Sequence, residues 1–425
     1  MARLNPARQD QDARKPRHLA ATASFPRIPE VALLLETSTE YGRGLLRGIL
    51  KYARLHGPWC VSVAPGHLDQ SLPTLASWKG TGVIARVRTP EMAKWVRSTR
   101  LPLVISSLLE SQPFSLDGRY GEIRTDSEAI ARMGAKYLMD AGLRRFAFCG
   151  FANHNWSAAR ERVFTGMVTE KGYECSALRI GSANWMKRHN WMESWEHERP
   201  ILTDWLRSLS KPVGLMAAND ACGREVLQVC IAERIQVPDE VAVVGVDNDE
   251  MMCELSTPPL SSVALDVDKA GYEAAQLLDA LMRGQTVTER TVRVEPTHVV
   301  HRRSSDVLVQ EDEAVGRALR FIREHARHPV SVSEVAEALG ISRRTLERRF
   351  LAALGRTILD EIARSHLTRA KQLLVETDLP CYQVAIDAGF GSLKSFNRTF
   401  SQKEGITPLR FRRRSTVARD VPSAK

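Results

Sequence analysis

Between residues 28 and 303 the chain alternates two kinds of apolar pattern. Short unbroken runs, among them 31–35 (VALLL), 82–87 (GVIARV), 213–217 (VGLMA) and 241–246 (VAVVGV), read as strands buried on both faces. Similar runs at 59–64, 103–106 and 146–150, with less regular ones at 121–124 and 292–300, extend the series. Between them lie stretches with apolar residues at helical spacing: 41–55, through Leu45, Leu46, Ile49, Leu50 and Ala53, and then 90–98, 127–141, 158–171, 221–233 and 269–283. Strand and helix in alternation imply parallel, doubly wound α/β sheets. The series is too long for one ordinary sheet, so two lobes with a cleft between them are expected.

After residue 313 the pattern is helical only, and it contains a repeat. Val335, Ala336, Gly340, Ile341, Ser342, Leu346, Arg348 and Phe350 are answered by Val384, Ala385, Gly389, Phe390, Ser392, Phe396, Arg398 and Phe400. The anatomy is that of a helix-turn-helix made twice: a small residue for close helix approach, a glycine for the turn, and apolar residues every fourth position down the second helix. Residues 314–326 read as the first helix of this domain. Residues 357–377 carry Ile358, Ile362, Leu367, Ala370, Leu373 and Leu374 at helical spacing without Gly or Pro. Such a helix is roughly 30 Å long, close to the turn of about 34 Å that separates successive major grooves on one face of B-DNA.

The second copy, with Ala388, Gly389, Phe390, Ser392, Phe396, Arg398 and Phe400, followed by Gly405, Ile406, Thr407, Pro408 and Arg412, resembles the AraC-type DNA-binding signature over about the last quarter of the chain. The faces left exposed offer Arg343, Arg344, Glu347 and Arg348 on the first reading helix, and Leu393, Lys394, Asn397 and Arg398 on the second. Arg suits guanine, Asn adenine, and Glu can accept from cytosine. Any one of them could instead be a phosphate contact or a solvated charge, Arg343 and Lys394 as readily as a base reader, and Arg398 is expected to be partly structural or phosphate-binding. Residues 405–412 are expected to end the last helix and touch phosphate.

Charge supports this division. Residues 315–414 carry 19 Lys and Arg against 10 Asp and Glu, a net of +9, whereas residues 28–303 carry 33 against 33. The excess lies where phosphate must be neutralised. Seven scattered cysteines without metal spacing read as reduced thiols, and no apolar run is long enough for a membrane helix, so a cytoplasmic protein without metal or cofactor is expected. The expected organisation is a disordered basic arm (1–27), a sensor (28–303), a short acidic linker (304–312), a DNA-binding domain (313–414) and a tail (415–425).

Ligands of doubly wound sheets bind beyond the carboxyl ends of the strands. The polar residues there are Glu36, Thr37, Ser38 and Tyr41, then Asp126, then Asn153, His154, Trp156 and Arg160, then Asn219 and Asp220, then Asp247 and Asn248. Carboxylates, amides, an arginine and aromatic faces suit a polyhydroxylated ligand. Asp126, Asn219 and Asp220 are also natural helix N-caps. Segments 217–220 (AAND) and 243–247 (VVGVD) resemble the ligand-binding core of LacI-type regulators, itself similar to periplasmic sugar-binding proteins. Residues 157–164 (SAARERVF) are similar to that family's ligand-contacting arginine segment, with Val163 where glycine is usual and Arg162 as a rival to Arg160.

A LacI-type sensor joined to an AraC-type reader resembles the xylose operon regulators, with Tyr41, Trp156 and the exit segment 301–306 (HRRSSD) fitting the comparison. The resemblance implies a transcription factor that binds double-stranded DNA, answers to D-xylose or a related sugar, forms a homodimer and activates through RNA polymerase. Another sugar or a nucleobase stays open as effector. A sugar-modifying enzyme is disfavoured by the lack of G-x-S-x-G, H-E-x-x-H or phosphate-loop motifs.

Overall fold

A computed structural model describes residues 28–63, 78–87, 90–107, 120–152, 154–181, 191–307 and 312–415. The expected arm at 1–27, Asn153, part of the expected linker and nearly all of the tail lie outside them.

Among the described residues the apolar runs form two six-stranded sheets. In the first, β1 (Glu30–Leu34) lies between β2 (Cys60–Val63) and β3 (Gly82–Val87), and the order continues through β4 (Leu103–Ser107) and β5 (Tyr120–Thr125) to β11 (Thr291–Val294). In the second, β6 (Arg145–Phe151) lies between β7 (Glu174–Ile180) and β8 (Val213–Ala217), and the order continues through β9 (Val241–Asp247) and β10 (Ser261–Leu265) to β12 (Pro296–Val300). All pairings are parallel except β10 with β12. Each lobe has its own core: Leu33, Leu45, Ile49, Ile84 and Leu278 in the first, Phe146, Phe148, Phe164, Leu215 and Val243 in the second. In the first lobe, helices Glu40–His56 and Val267–Met282 pack almost backbone to backbone. A Cβ on Gly48 would collide with the Asp268 carbonyl, and one on Gly271 with that of Leu45.

Among the described residues the chain crosses between lobes three times. Thr125 ends β5 in the first lobe and helix Ser127–Asp140 packs into the second; β10 leads back to helix Val267–Met282; β11 leads forward to β12. The last crossing corrects the single strand expected over 292–300. The pairing breaks at Glu295, where the chain leaves one sheet and Pro296 opens the other, with Val263 opposite Val299 in antiparallel register.

Residues 303–307 correct the expected start of the linker. Ser304 and Ser305 are buried in a 3-10 turn, the Ser304 hydroxyl donates to the Val243 carbonyl at 2.7 Å and accepts from the Ser261 N–H at 2.8 Å, and Val307 joins the second lobe's core. The expected linker therefore begins inside the lobe.

The C-terminal region is a chain of helices: Glu313–Glu324, Val332–Leu339, Arg343–Leu354, Ile358–Glu376, Cys381–Asp387, Leu393–Glu404 and Pro408–Ser415. Serine hydroxyls start the reading helices, Ser342 accepting from Thr345 N–H and Ser392 from Ser395 N–H. Ser331 and Glu334 form a capping box on the helix before the first. Leu319, Leu346, Phe350 and Ile362 make one core, and Leu374, Phe390, Phe396 and Phe400 another, so the helix Ile358–Glu376 contributes to both. Pro408–Ser415 is a further helix, where residues 405–412 were expected to close the preceding one.

This domain docks on the second lobe through charge. Arg364 pairs with Asp140 at 3.0 Å, Arg356 donates to the Asp140 carbonyl, and Glu361, 2% exposed, is held by Arg356 at 2.8 Å and Arg364 at 2.9 Å. Beside them Arg323 pairs with Asp306 at 2.7 Å. The Asp306 carboxyl is kept far below its ordinary range by His301 first and then by Arg323.

Candidate effector site and nucleic-acid interface

The cleft is built from strand ends of both lobes. From the first, the Tyr41 ring is buried where helix Glu40–His56 begins, its start fixed by the Thr39 hydroxyl accepting from Gly42 N–H at 3.3 Å. The Tyr41 hydroxyl pairs with that of Thr125, at the end of β5, at 2.9 Å. Arg86, near the end of β3, lies over the Tyr41 ring at 4.5 Å, with the Glu36 carboxylate 3.8 Å from its guanidinium. From the second lobe, helix Asn155–Thr169 brings Trp156 and Arg160 to the same place, the guanidinium 4.9 Å from the indole centre. Phe151 and His154 meet the Trp156 ring edge-on and orient it. Arg160 is 3% exposed and donates to the Ala218 carbonyl, whereas Arg162 is exposed on the opposite side of the helix. Only Arg160 reaches the cleft.

Asp247 ends β9 with φ +101°, a left-handed conformation that non-glycine residues adopt at a cost, and Asn248 follows with φ +51°. Burial pushes the Asp247 carboxyl up to about 6, against the pull of Arg160 and Arg86. Burial likewise lowers the Arg160 guanidinium, against the pull of Asp247. Three N–H donors here, Arg86 Nε, Trp156 Nε1 and Arg160 Nε, are buried without a hydrogen-bond partner. An unsatisfied buried donor is costly, and three in one cleft mark a surface shaped for an acceptor-rich ligand.

The remaining candidates are placed differently. Asp126 and Asn219 cap helices, accepting from Ala129 N–H at 2.8 Å and Cys222 N–H at 3.0 Å. Asp220 is buried with both oxygens occupied, by the Ser262 hydroxyl at 2.5 Å and Asp249 N–H at 2.7 Å, and burial holds its carboxyl well above its ordinary range. Sequence reasoning missed Arg86, a cation inside an otherwise apolar strand. It also missed Asp249, which bridges the lobes by accepting from Glu40 N–H at 3.0 Å and Arg43 at 2.8 Å.

On the C-terminal domain, all eight candidates lie on faces away from the core. Leu346, Phe350, Phe396 and Phe400 are fully buried, while Arg343, Arg344, Arg348, Lys394, Asn397 and Arg398 are exposed and Leu393 is 41% exposed. Glu347 is partly covered and pairs with Arg343 at 2.8 Å. Arg349 turns instead to Asp312, and Arg412 donates to the Leu374 carbonyl at 3.3 Å, which ties the last helix to the helix Ile358–Glu376. Among the described residues no helix is long and apolar enough to cross a membrane, and no cluster has the ligands for a metal ion.

Comparison with known proteins agrees with this geometry. Residues 135–305 match the periplasmic binding protein-like domain, and residues 335–414 match a helix-turn-helix domain. The xylose operon regulatory protein of Escherichia coli K12 is 31% identical over 396 residues, covering 91% of this chain and 98% of its own length. The protein of the same name from Haemophilus influenzae is 30% identical, covering 90% and 98%. The solved structure of a xylose-binding transcription activator superposes with a TM-score of 0.56 at 30% identity, covering 91% of this chain and 98% of that one.

Proposed function

The chain belongs to the family of xylose operon regulatory proteins, and from that membership we propose that its effector is D-xylose or a closely related pentose, bound in the cleft between the lobes. It is a sugar-responsive, DNA-binding transcription regulator and not an enzyme. The observation that carries the effector reading is the trio of buried, unpartnered donors on Arg86, Trp156 and Arg160, with the charges of the two arginines acting on the buried carboxylate of Asp247. A sugar hydroxyl accepts from the arginines and donates to Asp247, while the Trp156 and Tyr41 rings cover its apolar face. Glu36 supports the site through its ion pair with Arg86, and Asp126, Asn219 and Asp220 support it through helix caps and buried hydrogen bonds. Because the ligand touches both lobes, it binds the closed arrangement more tightly than the open one, and that difference is what drives the switch.

The output is double-stranded DNA. Arg343, Arg344, Glu347 and Arg348 enter one major groove, and Leu393, Lys394, Asn397 and Arg398 the next; each well-formed base contact contributes about 1–3 kcal/mol of discrimination. The helix between them has 19 residues, a length of roughly 28 Å, which suits grooves one turn apart. The protein acts as a homodimer in the bacterial cytoplasm and activates a pentose operon by engaging RNA polymerase.

Titration calorimetry of the full chain against D-xylose, L-arabinose, D-ribose, D-glucose, adenine and guanine tests the effector. Heat from D-xylose, abolished by Arg160→Met, is the expected result. Binding of a purine with no response to any sugar would overturn it.

A further inference from the structure

The internal repeat supplies its own control. Gly340 and Gly389 occupy equivalent turns, and both have left-handed backbones, φ +69° and +78°. A side chain at Gly340 would enter open space. At Gly389 a Cβ would lie 2.6 Å from His366 Nε2, 2.7 Å from the His328 carbonyl oxygen and 2.8 Å from that of Ala326. Residues 326 and 328 belong to the turn after the first helix of the first half, Gly389 to the turn of the second half, and His366 to the middle of the helix that joins them. The two halves, whose cores are separate, therefore meet at this seam.

His366 sits in the seam as a wedge. It is 6% exposed, and its ring lies 5.5 Å from that of Phe390, tilted by 60°. Its Nε2 is buried and makes no hydrogen bond of normal geometry, although the His328 carbonyl lies close enough to favour its proton. Burial keeps the imidazole below its ordinary value, so the wedge is neutral near pH 7. The helix Ile358–Glu376 sets the separation of the two reading helices by its length, while their mutual angle also depends on how each half packs against the other.

We propose that the seam formed by His366, Gly389 and the backbone of residues 326–328 sets the angle between the two reading helices, which makes His366 and Gly389 positioning residues for DNA recognition. The inference rests on the DNA-reading role of both helices. A backbone that approaches His366 this closely leaves no play, so the second head cannot rotate about the linking helix without breaking the contact. The tolerance of the protein for altered spacing between its two sub-sites follows from this contact rather than from any base-reading side chain.

The test uses the full chain and a duplex selected by it from a random-sequence pool. Affinity is then measured on that duplex and on versions with one base pair inserted or removed between the two sub-sites, which rotates one against the other by about 34°. The wild type and Gly340→Ala are expected to lose about tenfold or more on either change, comparable to a mismatched base pair. Gly340→Ala carries the same backbone strain as Gly389→Ala without pressing on the seam. His366→Ala and Gly389→Ala are expected to bind the altered duplexes within about threefold of the original, and His366→Gln to regain part of the preference. If Gly389→Ala does not fold, the histidine pair alone decides. Equal discrimination by wild type and His366→Ala would overturn the seam. Failure of the wild type to enrich any sequence would instead overturn the DNA-reading role on which it rests.

Discussion

Asp247→Asn should stabilise the effector-free protein while weakening its grip on sugar. The Asp247 carboxyl stands at about 6 in the folded chain against an ordinary value of 3.8, and burial is the first cause. The sign follows from linkage. A carboxyl raised on folding prefers its proton in the native state, so below about pH 4 it is protonated in both states and costs nothing, and above about pH 6 the native state carries a charge it would rather lose. The difference in pKa corresponds to at most about 3 kcal/mol. Asparagine keeps the shape and cannot ionise. At pH 7.5 the variant should therefore melt several degrees above the wild type in the absence of sugar, and the difference should vanish by pH 4. The same substitution removes a charged acceptor for a sugar hydroxyl, a loss of about 1.5–3 kcal/mol or roughly 10- to 150-fold in affinity. Differential scanning fluorimetry from pH 4 to 8 and calorimetry with D-xylose measure the two effects. A variant no more stable than the wild type at pH 7.5 would refute the reasoning about burial, and unchanged sugar affinity would remove Asp247 from the site.

Arg86→Met should weaken sugar binding by about tenfold or more, read by calorimetry, and wild-type affinity would return Arg86 to a purely structural pairing with Glu36 and Tyr41. Asn219→Ala should lower stability by about 1 kcal/mol through loss of its helix cap yet leave sugar affinity unchanged; reduced affinity at unaltered stability would place Asn219 in the ligand shell. Asp140→Ala removes the sensor-lobe carboxylate that pairs with Arg364 and leaves Glu361 as its partner within the domain, and limited proteolysis should then release the C-terminal domain faster than from the wild type. Arg398→Ala should lower the slope of log affinity against log salt by about 1, whereas Asn397→Ala should change base preference and leave that slope intact.

The elements that were legible in the sequence are those whose surroundings are uniform. β1, β8 and β9 lie inside their sheets and read as unbroken apolar runs. β7 is an edge strand with mixed exposure, and β10 opens with two buried serines that bond to the exit segment and to Asp220; neither follows a simple apolar pattern. The break at Glu295 was invisible because both halves of 292–300 have strand character, and only the sheets they join differ. In the cleft, residues just beyond strand ends were found by position. Arg86 was not, because it lies within its strand, and Asp249 was not, because its role is a contact with residues 209 and 206 positions away. The two reading helices of the C-terminal domain were legible, since each is specified by its own serine cap, closing glycine and buried stripe, whereas the last helix, Pro408–Ser415, was not. The docking of that domain on Asp140 depends on distant partners and left no local trace.

The late crossing from β11 to β12 also governs the order in which the protein can be completed on the ribosome. Each lobe waits for an edge strand supplied near residue 300: β11 covers β5 in the first sheet, and β12 covers β10 in the second. A nascent chain that has emerged only as far as residue 290 leaves β5 and β10, inner strands of the finished sheets, exposed as edges, the kind of surface that pairs with other chains. The two lobes are thus finished almost together, within the span of a few residues, and the DNA-binding domain follows directly behind them. Premature termination in the last part of the sensor should accordingly yield aggregates rather than a working lobe.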